Sequence, residues 1–368
     1  MTNLILSNDS GTSLDKNVYS VDAGSPQLLM VPPPVLEVHR SSIDSYKSGR
    51  LGSPEPQNEA WVEFDGKTYV MGHLAQKEFD ADINVKQVKY ENAIRKILAA
   101  VGAIASQKGL PSKFNADIAA LLPRIEWENR TLFSRGLELA LKDFSFCDRS
   151  LCVNLSSFIC RPEGAGLFWT RSRRVGVRYR NLTVVTLMFG YRDISIEVLT
   201  KGVASGTTKN LGMYWMLNKV QDRTSGQQVT ELLLAIIAAG RTVNKSKFKH
   251  LVRSTDPLNR SEELAQIADA VKLSRFEYLN LVTKWLNSVV PNHLDEVIIG
   301  GGTAEYLQPE LRNYFSHVPI SWAAESLEDV RNVFNLPVDS INLCSRLTDV
   351  YGLYRCLHLT VFPTQSLD

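Results

Sequence analysis

The chain has 368 residues, 44% hydrophobic and 22% charged, which is enough for about two soluble domains with cores of their own. Lysine and arginine (41) nearly balance aspartate and glutamate (39), and a net charge of +2 excludes nonspecific nucleic-acid binding over the whole surface. The five cysteines, Cys147, Cys152, Cys160, Cys344 and Cys356, are odd in number and show no CxxC spacing with matching histidines, so they suggest neither a disulfide framework nor a zinc site.

The N-terminus lacks a basic region followed by a long apolar core and reaches Asp9 and Asp15 early, unlike a signal peptide. The longest apolar runs, Ile97 to Ala105 and Leu232 to Ala239, are too short to span a bilayer. A cytoplasmic location is the expectation.

Leu4, Ile5 and Leu6 open an apolar strand that enters the turn Asp9-Ser10-Gly11-Thr12-Ser13-Leu14-Asp15-Lys16. Glycine and small hydroxyl residues let successive N–H groups approach an anion. Asp9 can hold the water shell of Mg²⁺, and Lys16 on the return strand can reach a phosphate as a point charge. This is a hairpin-type clamp, since the Gly-Lys-Ser/Thr run of a Walker loop is missing. Similar turns also close hairpins that bind nothing.

Residues 27–38 read as an extended edge segment around Pro32-Pro33-Pro34, and residues 40–58, rich in Ser, Gly and Pro, as a surface loop. Alternation over Ala60 to Met71 with Asp65-Gly66 predicts a hairpin. Helical spacing of Ile94, Ile97, Leu98, Val101 and Ile104 predicts a helix over Val88 to Gln107. A strand at 115–122 ends at Pro123, an amphipathic helix runs from Trp127 to Lys142, and a strand at 151–155 leads to Cys160-Arg161-Pro162-Glu163-Gly164-Ala165-Gly166, where the proline can open a helix. A basic loop from Arg171 to Arg180 follows; such a run is most often a solvated loop, yet its five arginines could also meet an acidic neighbouring subunit, an adaptor or an anionic lipid surface.

The second half repeats the opening theme. Residues 182–188 form an apolar strand, Phe189-Gly190-Tyr191-Arg192-Asp193 a turn, and residues 194–200 the return, which suggests internal duplication. Helices are expected over 211–221, 227–239 and 261–289, the last with a break; Lys245, Lys247, Lys249 and Arg253 read as an exposed helix face. A strand at 296–299 runs into Gly300-Gly301-Gly302 and a helix over 304–315, where a ligand ring can lie against backbone. A last helix over 339–357 is expected to pack back on the first half. The six histidines show no metal-ligand spacing.

Two glycine-turn hairpins, a late Ile-Gly-Gly-Gly opening a helix, and the terminal Ser-Arg-Leu-Thr-Asp-Val-Tyr-Gly-Leu-Tyr run occur in the order of the actin, Hsp70 and sugar-kinase superfamily. With Leu122-Pro123, Glu126, Trp127, Arg130 and the run 161–166, the chain resembles the bacterial actin-like ParM/StbA plasmid-segregation proteins, nearest to a cyanobacterial-type branch. The resemblance implies an α/β, two-lobed ATPase fold with a central nucleotide cleft. Residues 1–180 would form the first lobe, completed by 339–368, and residues 181–338 the second.

By the same resemblance, Asp9, Ser10, Gly11, Thr12, Ser13 and Lys16 would form the first phosphate loop, with Mg²⁺ held at Asp9 through water. Gly190, Tyr191 and Arg192 would form the second loop. Glu163 would orient the attacking water, Gly300, Gly301 and Gly302 would face the nucleoside, and Gly212 would approach the ribose. One position departs: where the family ends its second-loop strand with Asp, this chain has Met188, and a thioether neither holds a magnesium-bound water nor accepts a proton. Either Asp193 in the same hairpin compensates as a catalytic carboxylate, or hydrolysis rests on Glu163 and Asp9 at a lower rate. The implied activity is hydrolysis of ATP, or GTP, coupled to homopolymeric filaments whose ends meet a small DNA-binding adaptor, without direct sequence-specific DNA contact. The alternatives are a cortical or cell-shape filament with another adaptor, a small-molecule kinase on the same fold, and a nucleotide-binding scaffold that hydrolyses little.

Overall fold

The computed structural model describes residues 2–50, 52, 54–83, 88–338 and 340–363. Leu51 and Ser53 of the expected loop, and Asp339 and residues 364–368 of the expected C-terminal segment, lie outside them. The chain divides into two compact units, one of Met1–Tyr179 with Trp322–Asp368 and one of Arg180–Ser321.

The first unit opens with β1 (Asn3–Ser10), β2 (Asp15–Val21), β3 (Gln27–Val31) and β4 (Val35–Val38), then α1 (Arg40–Gly49), β5 (Trp61–Phe64), β6 (Lys67–Met71), α2 (Gly72–Glu78) and α3 (Lys89–Gln107). It continues through β7 (Lys113–Leu122), α4 (Arg124–Trp127), α5 (Arg130–Lys142), β8 (Phe144–Phe146), β9 (Arg149–Pro162) and α6 (Ala165–Val175). The nine strands form one sheet in the order β3-β2-β1-β7-β9-β8-β5-β6-β4, with β1, β7 and β9 parallel. The proline run splits the expected edge segment into two strands that sit at opposite ends of this sheet.

The second unit contains β10 (Thr183–Phe189), β11 (Ile194–Thr200), β12 (Val203–Lys209), α7 (Met213–Gln221), α8 (Val229–Ala239), α9 (Pro257–Val289), β13 (Glu296–Gly300), α10 (Gly302–Tyr306), α11 (Gln308–Tyr314) and β14 (Ile320–Trp322). Its sheet order is β12-β11-β10-β13-β14, with β10 and β13 parallel. The run β3-β2-β1-β7-β9 follows the same connection pattern, a three-stranded meander whose inner strand pairs in parallel with a later one. The chain then returns to the first unit through α12 (Leu327–Val333) and α13 (Ile341–Val361).

Several expectations are corrected. Residues 40–49 are helix rather than loop: His39 accepts from the Ser41 N–H at the helix start, and Ile43 alone is buried, so no apolar stripe advertises the element. The basic run is mostly α6 and a 3-10 turn over Val177–Asn181, not a loop. Two of its arginines are engaged, Arg171 with Glu325 at 3.0 Å and Arg174 with Asp329 at 2.5 Å. Pro162 ends β9 instead of opening a helix. Helix α9 runs unbroken for 33 residues, started by Asp256, which accepts from the N–H groups of Leu258 and Asn259. Residues 304–315 divide into α10 and α11, while Lys245, Lys247 and Lys249 are exposed on a 3-10 helix over Lys245–Leu251, and Arg253 lies beyond its end.

Strand β1 is buried on both faces, as suits a central parallel strand. Leu4 and Leu6 belong to a core with Ile97, Val101 and Ile104 of α3, while Ile5 packs with Leu347, Val350 and Tyr354 of α13. Helix α6 crosses α13 at backbone contact. A Cβ on Gly166 would lie 1.9 Å from the Asp349 carbonyl oxygen, and one on Gly352 would lie 2.3 Å from the Gly166 carbonyl oxygen. Gly352→Ala is therefore expected to cost about 1–3 kcal/mol through overpacking. Thermal unfolding checks it against Gly49→Ala, where nothing lies within 4 Å and no loss is expected.

Candidate functional site

The β1–β2 hairpin pairs Asp9 with Lys16 and Ser10 with Asp15, leaving Gly11, Thr12, Ser13 and Leu14 as a half-exposed tip on buried flanks. Gly11 is demanded by the turn: its N–H donates to the Asp9 carbonyl at 2.7 Å, and a Cβ there would meet the Leu14 carbonyl oxygen at 2.4 Å. Behind the tip runs a buried polar ladder. The Asn8 side-chain amide donates to Asp15 and Asn17 at 2.9 and 2.8 Å, and the Ser10 hydroxyl donates to Asn8 at 2.6 Å. Ser10 thus secures the hairpin rather than presenting its hydroxyl at the tip.

Around the tip stand four basic groups. Lys16 pairs with Asp9 Oδ2; Lys89, the first residue of α3, places Nζ 2.9 Å from Asp9 Oδ1 and 2.6 Å from Glu163 Oε1. Lys96, two turns along α3, donates to the Gly11 carbonyl at 3.3 Å, and Arg346 of α13 donates to the Ser13 hydroxyl at 3.0 Å. Burial disfavours charge on Asp9, but Lys16 and Lys89 outweigh it and hold the carboxyl well below the usual range. The Asp9 and Glu163 carboxylates likewise overcome burial at Lys89 and raise its pKa. Burial pushes Lys96 down to about 8 and lowers Arg346.

Glu163 follows β9 directly, its N–H donating to the Leu122 carbonyl at 2.8 Å. Asp349 accepts from the N–H groups of Gly164, Gly166 and Leu167 at 2.7, 2.8 and 3.2 Å, which caps α6. Burial pushes the Asp349 carboxyl up to about 7 against those bonds. The first unit therefore brings together Asp9, Ser10, Gly11, Ser13, Lys16 and Glu163. It adds Lys89, Lys96, Arg346 and Asp349, which the sequence does not single out. Lys89 and Lys96 had a signal: they share the core-facing side of α3 with Ala93, Ile97 and Ala100, an unusual place for two lysines.

In the second unit Gly190, Tyr191, Arg192 and Asp193 form the β10–β11 turn, with the Gly190 N–H donating to the Asp193 carbonyl at 2.9 Å. Arg192 Nε lies 2.5 Å from Asp193 Oδ2, so the candidate substitute carboxylate is neutralised by its neighbour. Met188 pairs with Ser195 and Gly300 and is buried. Gly212 lies against the same turn: a Cβ would meet the Tyr191 carbonyl oxygen at 2.2 Å, and its N–H donates to the Arg192 carbonyl. Gly300 ends β13, Gly301 has φ 98° with its Cβ position 2.4 Å from the Phe189 carbonyl oxygen, and Gly302 starts α10. Thr303 donates its hydroxyl to the Gly190 carbonyl at 2.8 Å. Packing within the unit accounts for Gly212 and Gly301 without a ligand.

A half-exposed glycine turn ringed by Lys16, Lys89, Lys96 and Arg346 fits a polyphosphate, because Lys96 and Arg346 donate to neutral loop acceptors, the Gly11 carbonyl and the Ser13 hydroxyl, beside the tip. Magnesium fits the donor set poorly. It requires oxygen ligands, and both oxygens of Asp9 already accept from ammonium groups, as does Glu163 Oε1. Among the described residues no group of three His, Cys, Asp or Glu is placed to hold a metal ion, and no helix is long and apolar enough to cross a membrane.

The lowered pKa of Asp9 sets a pH dependence. Its charge stabilises the folded state above the ordinary value of 3.8, and that contribution is lost as the pH falls below it toward the folded-state pKa. Asp9→Asn, which strands buried ammonium groups, is expected to cost about 3–5 kcal/mol near neutral pH. In urea unfolding the gap between the wild type and this variant should stay constant above about pH 5 and narrow below about pH 4.

No protein-family model matches the chain, and no curated protein does. Among solved structures the chain is similar to ParM in a 15-stranded filament from Clostridium botulinum, at 15% identity over 97% of this chain and 99% of that one, with a TM-score of 0.57. It is also similar to AlfA from the B. subtilis plasmid pLS32 in its filament (14%, 96% and 98%, 0.54) and to AlfA in a filament bound to AMPPNP (14%, 98% and 98%, 0.54). An archaeal actin homologue gives 12% identity, 97% and 99% coverage and 0.56. At such identities the likeness speaks for architecture alone, and the architecture is the actin-like α/β fold.

Proposed function

We propose that the chain is a nucleotide-dependent, filament-forming actin-like protein that hydrolyses ATP and segregates plasmid DNA through a small DNA-binding adaptor. The observation that carries this reading is the basic ring at the half-exposed β1–β2 tip, set on a fold whose similar structures include ParM and AlfA filaments, one of them with AMPPNP. Phosphoryl transfer to water needs mainly positioning and charge stabilisation, which such a ring supplies. On this reading Gly11, Thr12 and Ser13 offer backbone N–H groups to phosphate oxygens, Lys16, Lys96 and Arg346 balance its charge, and Glu163 orients the attacking water. Gly190, Tyr191 and Arg192 form the second phosphate loop, and Gly300, Gly301 and Gly302 face the nucleoside. A small-molecule kinase would want a carboxylate at the end of β10 to activate its acceptor, and Met188 stands there.

Sedimentation and phosphate release with ATP, GTP and AMPPNP test the proposal. Assembly is expected with ATP and with AMPPNP, and phosphate release with ATP. Arg346→Ala should weaken ATP binding about tenfold, and Glu163→Gln should slow phosphate release about a hundredfold while the protein still assembles. Assembly without nucleotide would remove the motor reading, and absence of both assembly and hydrolysis would remove the function.

A further inference from the structure

We infer that Lys89 is a built-in cation standing where an actin-like nucleotide site would employ a divalent metal, so that the polyphosphate is held without one. The inference rests on the nucleotide reading above and extends it to the ionic requirement of the site.

Three observations lead there. Lys89 Nζ bridges two carboxylates from separate elements, Asp9 at the end of β1 and Glu163 after β9, as a bound cation would. Its position is fixed: Glu126 Oε2 accepts from the Lys89 and Tyr90 N–H groups at 2.6 and 3.1 Å, which anchors the first turn of α3, and the residue is 8% exposed. With Lys16 on the other oxygen of Asp9, a divalent ion brought to this carboxylate would meet two ammonium groups at contact range and be repelled. The carboxylates of the first unit that would take a hard cation are thus already neutralised by ammonium groups.

The test is calorimetric titration with ATP in EDTA and again in millimolar magnesium. For the wild type the two dissociation constants should agree within about threefold. Lys89→Met, close in length and without charge, should bind ATP in EDTA at least about tenfold more weakly than the wild type, and magnesium should recover part of the loss by entering between the freed carboxylates. Lys89→Arg should keep the wild-type indifference to metal. Thermal unfolding without nucleotide establishes that each variant is folded, and the wild-type comparison stands even if Lys89→Met is not. A wild type that loses more than about threefold in EDTA overturns the inference while leaving the nucleotide reading in place. So does a folded Lys89→Met that stays indifferent to metal. ATP bound by the wild type in neither condition overturns both.

Discussion

Asp9 and the two ammonium groups that clasp it constrain the first unit more than any other contact. A carboxylate and two lysines, each at most 8% exposed, tolerate burial only while they remain together, because a stranded buried charge costs several kcal/mol. Three elements must therefore arrive in register. The hairpin has to place Lys16 opposite Asp9, α3 has to begin at Lys89, and β9 has to deliver Glu163. Strand slippage by one residue would point Asp9 to the other face of the sheet, so the ion cluster and the hairpin register enforce one another.

The same economy governs the C-terminal helix. Gly166 and Gly352 allow α6 and α13 to touch through their backbones, and that approach brings Asp349 onto the N–H groups that begin α6. One turn earlier on α13, Arg346 then reaches Ser13 at the hairpin tip, and the Ser7 hydroxyl donates to the Val350 carbonyl at 3.0 Å. The distance of a guanidinium from the loop is thus set by two missing side chains. Adding a methyl group at either glycine would push away the helix that carries the charge.

How far the sequence discloses this depends on whether local chemistry or distant packing decides an element. The hairpins are legible because Gly11, Asp65-Gly66 and Gly190 answer local turn geometry, and α3 is legible because its apolar period is strong. Helix α1 is hidden because a single buried isoleucine creates no stripe, and α6 because its arginines look solvated until Glu325 and Asp329 return from far along the chain. Strand β12 is exposed along nearly its whole length and carries no alternation. Lys89, Lys96 and Arg346 escape for a related reason: lysine and arginine are ordinarily read as surface, and only tertiary structure turns them inward.

The repeated strand order makes the differences between the two units informative. Each has a three-stranded meander whose inner strand runs parallel to a later one, and each closes its first hairpin with a glycine. In the first unit the strand end carries Asn8, Asp9 and Ser10, a buried polar ladder and an array of cations. In the second the same place holds Met188 and Phe189, and the charged residues of the turn, Arg192 and Asp193, satisfy each other. The buried ion cluster thus belongs to the first hairpin, while the turn of the second pairs its own two charges.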